Sequence, residues 1–280
     1  MELNYHDSDA IQPTRIENLS AQQNVFFLIK KMTQKLDITI EVYLLCFNEE
    51  KIILHTLNYY SQICNKIIII DNHSTDDSLN LARKFKNVKF RQLDSGYEFI
   101  EDRLTESRNN CWKESTADYV IVCDMDEFLY DENLLEKLAL AKEQGIIMPM
   151  IIGYNMMSDN FPSNYNKLIT EQVKYGFRST RFDKKIIFDP KRVKEINYRP
   201  GAHLSYPVFY ENNIVDPLME LKLLHYKYLG KEYLYKKHKG YVDRMSETSK
   251  EKRHRYKYLE GKEHINNVFD SCNYLNRVIK

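Results

Sequence analysis

Between Ile38 and Asp124 the chain repeats one unit four times: a short β-rich run, a polar turn and a stretch with helical character. The runs are Ile38 to Cys46, Lys66 to Ile70, Val88 to Leu93 and the stretch from Tyr119 into Asp124. Runs that are apolar at successive positions suit strands buried on both faces, as in a parallel sheet covered by helices. Four strands separated by helices therefore predict an α/β fold built on a mixed, mostly parallel sheet flanked by helices. In such sheets ligands bind beyond the carboxyl ends of the strands. Asn48, Asp71 and Asp124 all fall there.

The predicted helices cover Glu49 to Tyr60 behind Asn48, Leu79 to Phe85, Phe99 to Lys113 and Glu132 to Gln144, the last stopped by Gly145. Ser74 and Asp77 have capping-box spacing ahead of the second. Ile146 to Met157 reads as a further strand. Residues 158–217 are less regular, with β-like runs such as Lys185 to Phe188, and predict a mixed-sheet extension over the pocket on the acceptor side. Residues 1–36 are polar around one apolar patch, Val25 to Ile29, and form an N-terminal extension. The main domain spans 37–230, and 231–280 is a basic, Tyr-rich helical C-terminal extension.

At 280 residues with 43% hydrophobic content, one large domain with additions is expected. A formal charge of +1 argues against a nucleic-acid partner, whose binders carry a strong basic excess. The charge is nonetheless segregated: Lys222 to Glu263 holds 13 Lys and Arg against 6 Asp and Glu, with seven tyrosines. That segment is either a solvated helical face closing over a ligand or a weak peripheral contact with anionic lipid at the inner face of a membrane. Five cysteines without a CxxC pair read as reduced packing thiols in a cytoplasmic protein. Neither a secretory signal nor an apolar run of about 18 residues is visible.

The fourth strand runs into Asp124-Met125-Asp126-Glu127. Residues i and i+2 of a strand share a face, so Asp124 and Asp126 can converge on one hard divalent ion if the extended geometry persists. The alternative is that Asp126 or Asp131 caps the following helix.

Together with Cys46-Phe47-Asn48-Glu49-Glu50, Asp71-Asn72-His73-Ser74-Thr75-Asp76, Ser107-Arg108-Asn109 and His225-Tyr226-Lys227-Tyr228, this motif resembles the family 2-like glycosyltransferases of the GT-A fold. The likeness is to a bacterial branch that overlaps the family 92 pattern and covers about Ile38 to Tyr258. It implies a metal-dependent, inverting transfer of a single sugar from a nucleotide sugar, a UDP-sugar, to a hydroxyl acceptor. A glycan or lipid-linked glycan of bacterial surface polysaccharide or lipopolysaccharide synthesis is the implied acceptor. Asp124, Asp126 and His225 would hold Mn2+ or Mg2+; Asn48, Glu49, Asp71 and Arg108 would contact the nucleotide, which Asp124 can also reach at the ribose, and Lys227 would neutralise its diphosphate.

The Glu-Asp pair that many inverting members carry at the acceptor helix is missing, since Glu101-Asp102 precedes the acidic motif. Asp159 and His203 are the rival candidates for the general base. Trp112 also precedes the motif, so no QxxRW signature of processive synthases is present. Two other readings stand beside this one: a haloacid-dehalogenase-like phosphatase with Asp124 as nucleophile and Asp126 as acid, and a non-catalytic nucleotide-sugar or glycan-binding relative. The phosphatase motif belongs near a chain start, whereas here over a hundred residues precede it.

Overall fold

The computed structural model describes residues 37–93, 100–211, 219–244, 261–272 and 274–280. The N-terminal extension of residues 1–36 lies outside them. Strand β1 (Ile40–Cys46) leads to α1 (Ile53–Tyr60), β2 (Lys66–Asp71), α2 (Ser78–Ala82), β3 (Val88–Gln92), α3 (Glu101–Asn110) and β4 (Tyr119–Asp124). These strands and a later one, β8 (Ile187–Phe188), form a sheet of order β3-β2-β1-β4-β8, parallel except for β8 against β4. Val42 and Leu44 of β1 enter one core cluster and Tyr43 and Leu45 the other; β2 and β4 divide in the same way. Both faces are covered, which is why the runs are apolar without alternation. Edge strand β3 buries only Val88 and leaves Lys89 and Arg91 exposed.

After β4 the chain turns at Met125 and Asp126 and enters a second sheet as β5 (Glu127–Tyr130). Then come α4 (Leu134–Glu143), β6 (Met150–Ser158), α5 (Ile169–Gln172), β7 (Tyr175–Arg178), β8 (Ile187–Phe188), β9 (Val193–Glu195), β10 (Val208–Phe209) and β11 (Glu220–Leu229). Helices α6 (Lys231–Asp243) and α7 (Gly261–Ser271) and strand β12 (Asn276–Arg277) end the chain. The second sheet has the order β12-β7-β6-β11-β5, with β6 and β11 parallel, and β9 and β10 pair separately. In the first sheet β2 and β4 lie on opposite sides of β1, so the strand order reverses there. That reversal opens a crevice at the carboxyl ends of β1 and β4, where ligands bind in open α/β sheets.

The α/β fold with a mostly parallel sheet agrees with the sequence expectation, and several local expectations are corrected. Helix α1 starts at Ile53, not Glu49, and Asn48 does not cap it, because its side chain is used on the loop after β2. Helix α2 spans Ser78–Ala82 and has no capping box from Ser74 and Asp77; Asp76 Oδ1 instead accepts Ser78 N (3.0 Å). No helix follows the acidic motif directly, since β5 intervenes and Asp131 accepts Asn133 N and pairs with Lys137. The strand predicted from Ile146 begins at Met150. Lys222 to Leu229, the start of the basic segment, is the largely buried strand β11 and not a solvated or lipid-facing helix. The C-terminal region is only partly helical, because β12 pairs with β7; residues 245–260 of the basic segment lie outside the described residues. All five cysteines are free, and Cys46, Cys111 and Cys123 are buried as packing thiols.

The first sheet is clasped at its amino end by Asp118, whose Oδ2 accepts both Thr39 N and Thr39 Oγ1 at 2.9 Å and faces Lys142 at 3.2 Å. Lys191 lies 3.3 Å from Oδ1. Partial burial raises the carboxyl pKa, but the Thr39 hydrogen bonds and the two lysines outweigh it and hold the group at about 2. A value below the unfolded one gives stability that is fully present above about pH 4 and is lost as pH falls through the folded value. Asp118→Asn should therefore be less stable than wild type in urea at neutral pH, with the gap narrowing below about pH 4. A gap that stays constant with pH would contradict this role.

Candidate active site

Extended geometry does not persist through the acidic motif, and its two aspartates take different ion-pair partners. Asp124, at the end of β4, accepts Arg108 Nη2 at 2.7 Å, and Glu101 lies 3.8 Å from the same guanidinium. Asp126, in the turn, presents Oδ2 to Lys237 Nζ (2.9 Å) and His225 Nε2 (3.5 Å). The turn is held from both sides: Thr56 Oγ1 donates to Met125 O (2.7 Å), Tyr60 OH to Glu127 O (2.8 Å) and Tyr226 N to Asp126 O (2.8 Å). Beneath it Glu127 and Lys184 form an ion pair with both side chains 2% exposed. Glu127 Oε2 also accepts Asp124 N at 3.3 Å, so the pair orients the turn.

Burial pushes the Asp124 carboxyl up, but Arg108 and Lys184 outweigh it and hold the group at about 2. Burial also opposes ionisation of Asp126, yet Lys237 and His225 keep it well below the usual carboxylate range. Glu49 differs. Burial raises it to about 7, with Lys237 opposing the rise and Asp126 adding to it.

His225 is positioned by β6 and β11, which align it with Asn155. Its Nδ1 lies 2.7 Å from Asn155 Oδ1. An amide oxygen only accepts, so Nδ1 carries a proton, and Nε2 is the ring nitrogen left to face Asp126, through a second proton or through a cation. A lone pair and a carboxylate at this distance repel unless a proton or a cation lies between them. Phe182 stacks on the imidazole with centroids 4.0 Å apart. The stack depends on Gly153, where a Cβ would come within 2.4 Å of the Phe182 backbone, and on Asp183, which accepts Gly153 N. An oxygen and an imidazole nitrogen, with the other ring nitrogen bonded to an amide, fit a divalent metal. Among the described residues, however, no three His, Cys, Asp or Glu side chains are gathered as a metal cage. Asp124 is turned to Arg108, and the ammonium of Lys237 bridges Asp126 and Glu49.

The nucleotide-side candidates line the adjoining strand ends. Asn48, at φ 51°, accepts Thr75 N on Oδ1 (2.7 Å) and donates to Thr75 Oγ1, clasping the loop after β2. Asp71 is buried and accepts Ser74 N (3.2 Å), a turn-forming bond. Arg244, at the end of α6, lies 3.6 Å over the Phe47 ring and donates to Asn72 O.

Of the remaining candidates, His203 borders the site through Phe182, whose ring meets it edge-on at 5.3 Å and stacks on His225. Asp159 is exposed in a bend after β6, about 13 Å along the strand direction from Asn155 at the usual rise per residue. His203 Nδ1 lies 2.9 Å from Arg181 O, and burial with Lys184 and Arg181 nearby lowers its pKa to about 3. Lys227 lies 5.9 Å over the Tyr228 ring, and the ammonium on the acids belongs to Lys237. A cavity of about 720 Å³ opens on another face of α3, lined by Asp102, Glu106, Arg199 and Tyr206 among others, and contains none of the candidates. Sequence reasoning missed Lys237, Lys184, Glu127 and Arg244. Glu127 alone had a usable signal, its place in the motif; the three cations meet the site only through tertiary packing.

The profile described as Glycosyl transferase family 2 matches residues 41–194. Glycosyltransferase SunS of Bacillus phage SPbeta is 27% identical over 34% of this chain and 22% of its own length. Poly(ribitol-phosphate) beta-N-acetylglucosaminyltransferase TarP of Staphylococcus aureus (strain N315) is 34% identical over 31% of this chain and 26% of its own. The matched segments thus span about a quarter of these relatives. Among solved structures, S. aureus TarS 1-349 superposes with a TM-score of 0.42 at 15% identity, covering 84% of this chain and 74% of that one.

Removing one partner of a buried ion pair leaves the other uncompensated and costs about 3–5 kcal/mol, whereas replacing both with uncharged groups is near neutral. Lys184→Met should therefore lower urea stability by about that amount, and adding Glu127→Gln should recover most of it. Equal stability of the single variant and wild type would show that the pair does not hold the turn.

Proposed function

The chain belongs to glycosyl transferase family 2, and from that membership we propose that it transfers one sugar from a UDP-sugar to a hydroxyl acceptor, with inversion at the anomeric carbon and a divalent cation, Mn2+ or Mg2+, at Asp126 and His225. The observation that carries the metal reading is His225 Nε2 facing a buried carboxylate oxygen at 3.5 Å, with Nδ1 already bonded to Asn155. Formal charge agrees with it. With Glu49 set aside because burial raises it to about 7, Glu101, Asp124, Asp126 and Glu127 face three cations, Arg108, Lys184 and Lys237, a formal excess of one negative charge. A bound diphosphate would add more, so donor binding needs further positive charge.

In this reaction the acceptor oxygen forms a bond to the anomeric carbon while the bond to the diphosphate oxygen breaks, and the hydroxyl proton passes to a base. When bound, a divalent cation neutralises the charge that develops on the departing diphosphate. Asp126 and His225 would hold it. Arg108 keeps Asp124 ionised at the strand end, and the Lys184 pair orients the turn between them. Asn48, Glu49 and Asp71 border the nucleoside side, Asp124 is within reach of the ribose, and Lys227 is a candidate counter-ion for the diphosphate. We propose Asp159 over His203 as the proton acceptor, because His203 takes a proton poorly and Asp159 is open to an incoming acceptor.

By its name TarP uses poly(ribitol-phosphate) as acceptor, which supports a glycan or lipid-linked glycan acceptor here, in bacterial surface polysaccharide or lipopolysaccharide synthesis. We place the reaction in the cytoplasm or at the inner face of the membrane; no helix among the described residues is long and apolar enough to cross one. Any weak membrane contact must use basic residues other than those of β11.

A ligand that binds only the native state stabilises it by about 2.7 kcal/mol at 100 times its dissociation constant. UDP and UDP-sugars should raise the melting temperature more with Mn2+ than without, and Asp126→Ala should remove the metal-dependent part. A full metal-dependent shift in Asp126→Ala would place the metal elsewhere. Rapid hydrolysis of an aryl phosphate, lost in Asp124→Asn, would establish a phosphatase instead.

A further inference from the structure

One ammonium ties three separate parts of the chain at the acidic turn. Lys237, on α6, lies 2.8 Å from Glu49 Oε1 behind β1 and 2.9 Å from Asp126 Oδ2 between β4 and β5, with its side chain only 12% exposed. The helix that carries it follows β11 directly through Gly230, whose φ of 89° suits glycine and where a Cβ would approach Asp159 O to 3.1 Å. Seven residues on, two helical turns along the same face, Arg244 lies over Phe47 and donates to Asn72 O. Helix α6 thus lays two cations on the carboxyl edge of the first sheet.

The Asp126 oxygen held by Lys237 is also the one that faces His225 Nε2. A divalent ion bound between them would sit about 2.1 Å from that oxygen, and an ammonium cannot remain against the same atom without strong repulsion in a buried site. We propose that Lys237 is a tethered cation that shares this position with a divalent ion by exclusion: the ammonium holds Asp126 and Glu49 when the ion is absent and leaves Asp126 when it binds. Lysine suits this exchange because its ammonium is a compact point charge on a flexible stem, unlike the fixed fork of arginine. The inference rests on the donor-site reading only in taking Asp126 and His225 as the ion's ligands.

The test is a titration of Mn2+ into the nucleotide-free full chain, following free Mn2+ by electron paramagnetic resonance. Removing the competing charge in Lys237→Met should tighten Mn2+ binding roughly tenfold or more, about 1.4 kcal/mol per tenfold. Lys237→Arg, which keeps the charge, should show no gain over wild type, and Asp126→Asn in the Lys237→Met background should lose the gain. Unchanged or weaker binding by Lys237→Met overturns the proposal. If that variant does not fold, Lys237→Gln takes its place under the same criterion. On the wild-type chain, acetylation of the Lys237 amine, read by mass spectrometry, should rise as Mn2+ saturates; acetylation that stays level or falls under saturation counts against the exchange. Sugar transfer is a separate readout. Loss of the exchange with transfer intact refutes this inference alone, and the exchange without transfer refutes the proposed reaction alone.

Discussion

Met125 and Asp126 carry the chain from one sheet into the other, and the charged groups of the site are arranged around that turn. Asp124 still belongs to the parallel sheet, in register with Leu45, while Glu127 already pairs with His225 in the second sheet. A single peptide turn therefore sets both the direction of the two aspartates and the distance from Asp126 to His225. Such a turn leaves backbone carbonyls outside the ladder, and buried carbonyls need partners. Thr56, Tyr60 and the Tyr226 amide supply them. Helix α1 is thus a support for the acidic turn as well as a layer of the fold.

The same turn concentrates negative charge where little water reaches. Asp124, Glu127 and Asp126 are each paired with a cation brought from a distant part of the chain: Arg108 from α3, Lys184 from the loop before β8, Lys237 from α6. Buried pairs of this kind add little net stability, because desolvation offsets their attraction, but breaking one is costly. Their value here is geometric. They fix a strained concentration of like charge in one arrangement and leave Asp126 beside an imidazole already oriented by Asn155.

The parallel sheet was legible because burial on both faces writes itself into consecutive apolar residues, as in Lys66–Asp71 and Tyr119–Asp124. The positions of Asn48, Asp71 and Asp124 at strand ends followed from that pattern alone. Strand β11 was not legible as a strand, since Lys222, His225 and Lys227 interrupt its apolar residues and made it read as part of a basic helical segment. The strand alternation that suggested one shared face for Asp124 and Asp126 holds only while the backbone stays extended, and it ends at Asp124. Lys237 was hidden among many lysines of one segment. No spacing rule separates it from its neighbours, because its partners lie 188 and 111 residues away.

We propose that the turn between the two sheets is the metal end of a nucleotide-sugar site. Anomalous diffraction from crystals grown with Mn2+ and UDP tests it directly. The account predicts one strong manganese peak within bonding distance of Asp126 Oδ2 and His225 Nε2, with the diphosphate beside it and the nucleoside toward Asp71. A manganese peak away from both residues, with the diphosphate bound elsewhere, would contradict it.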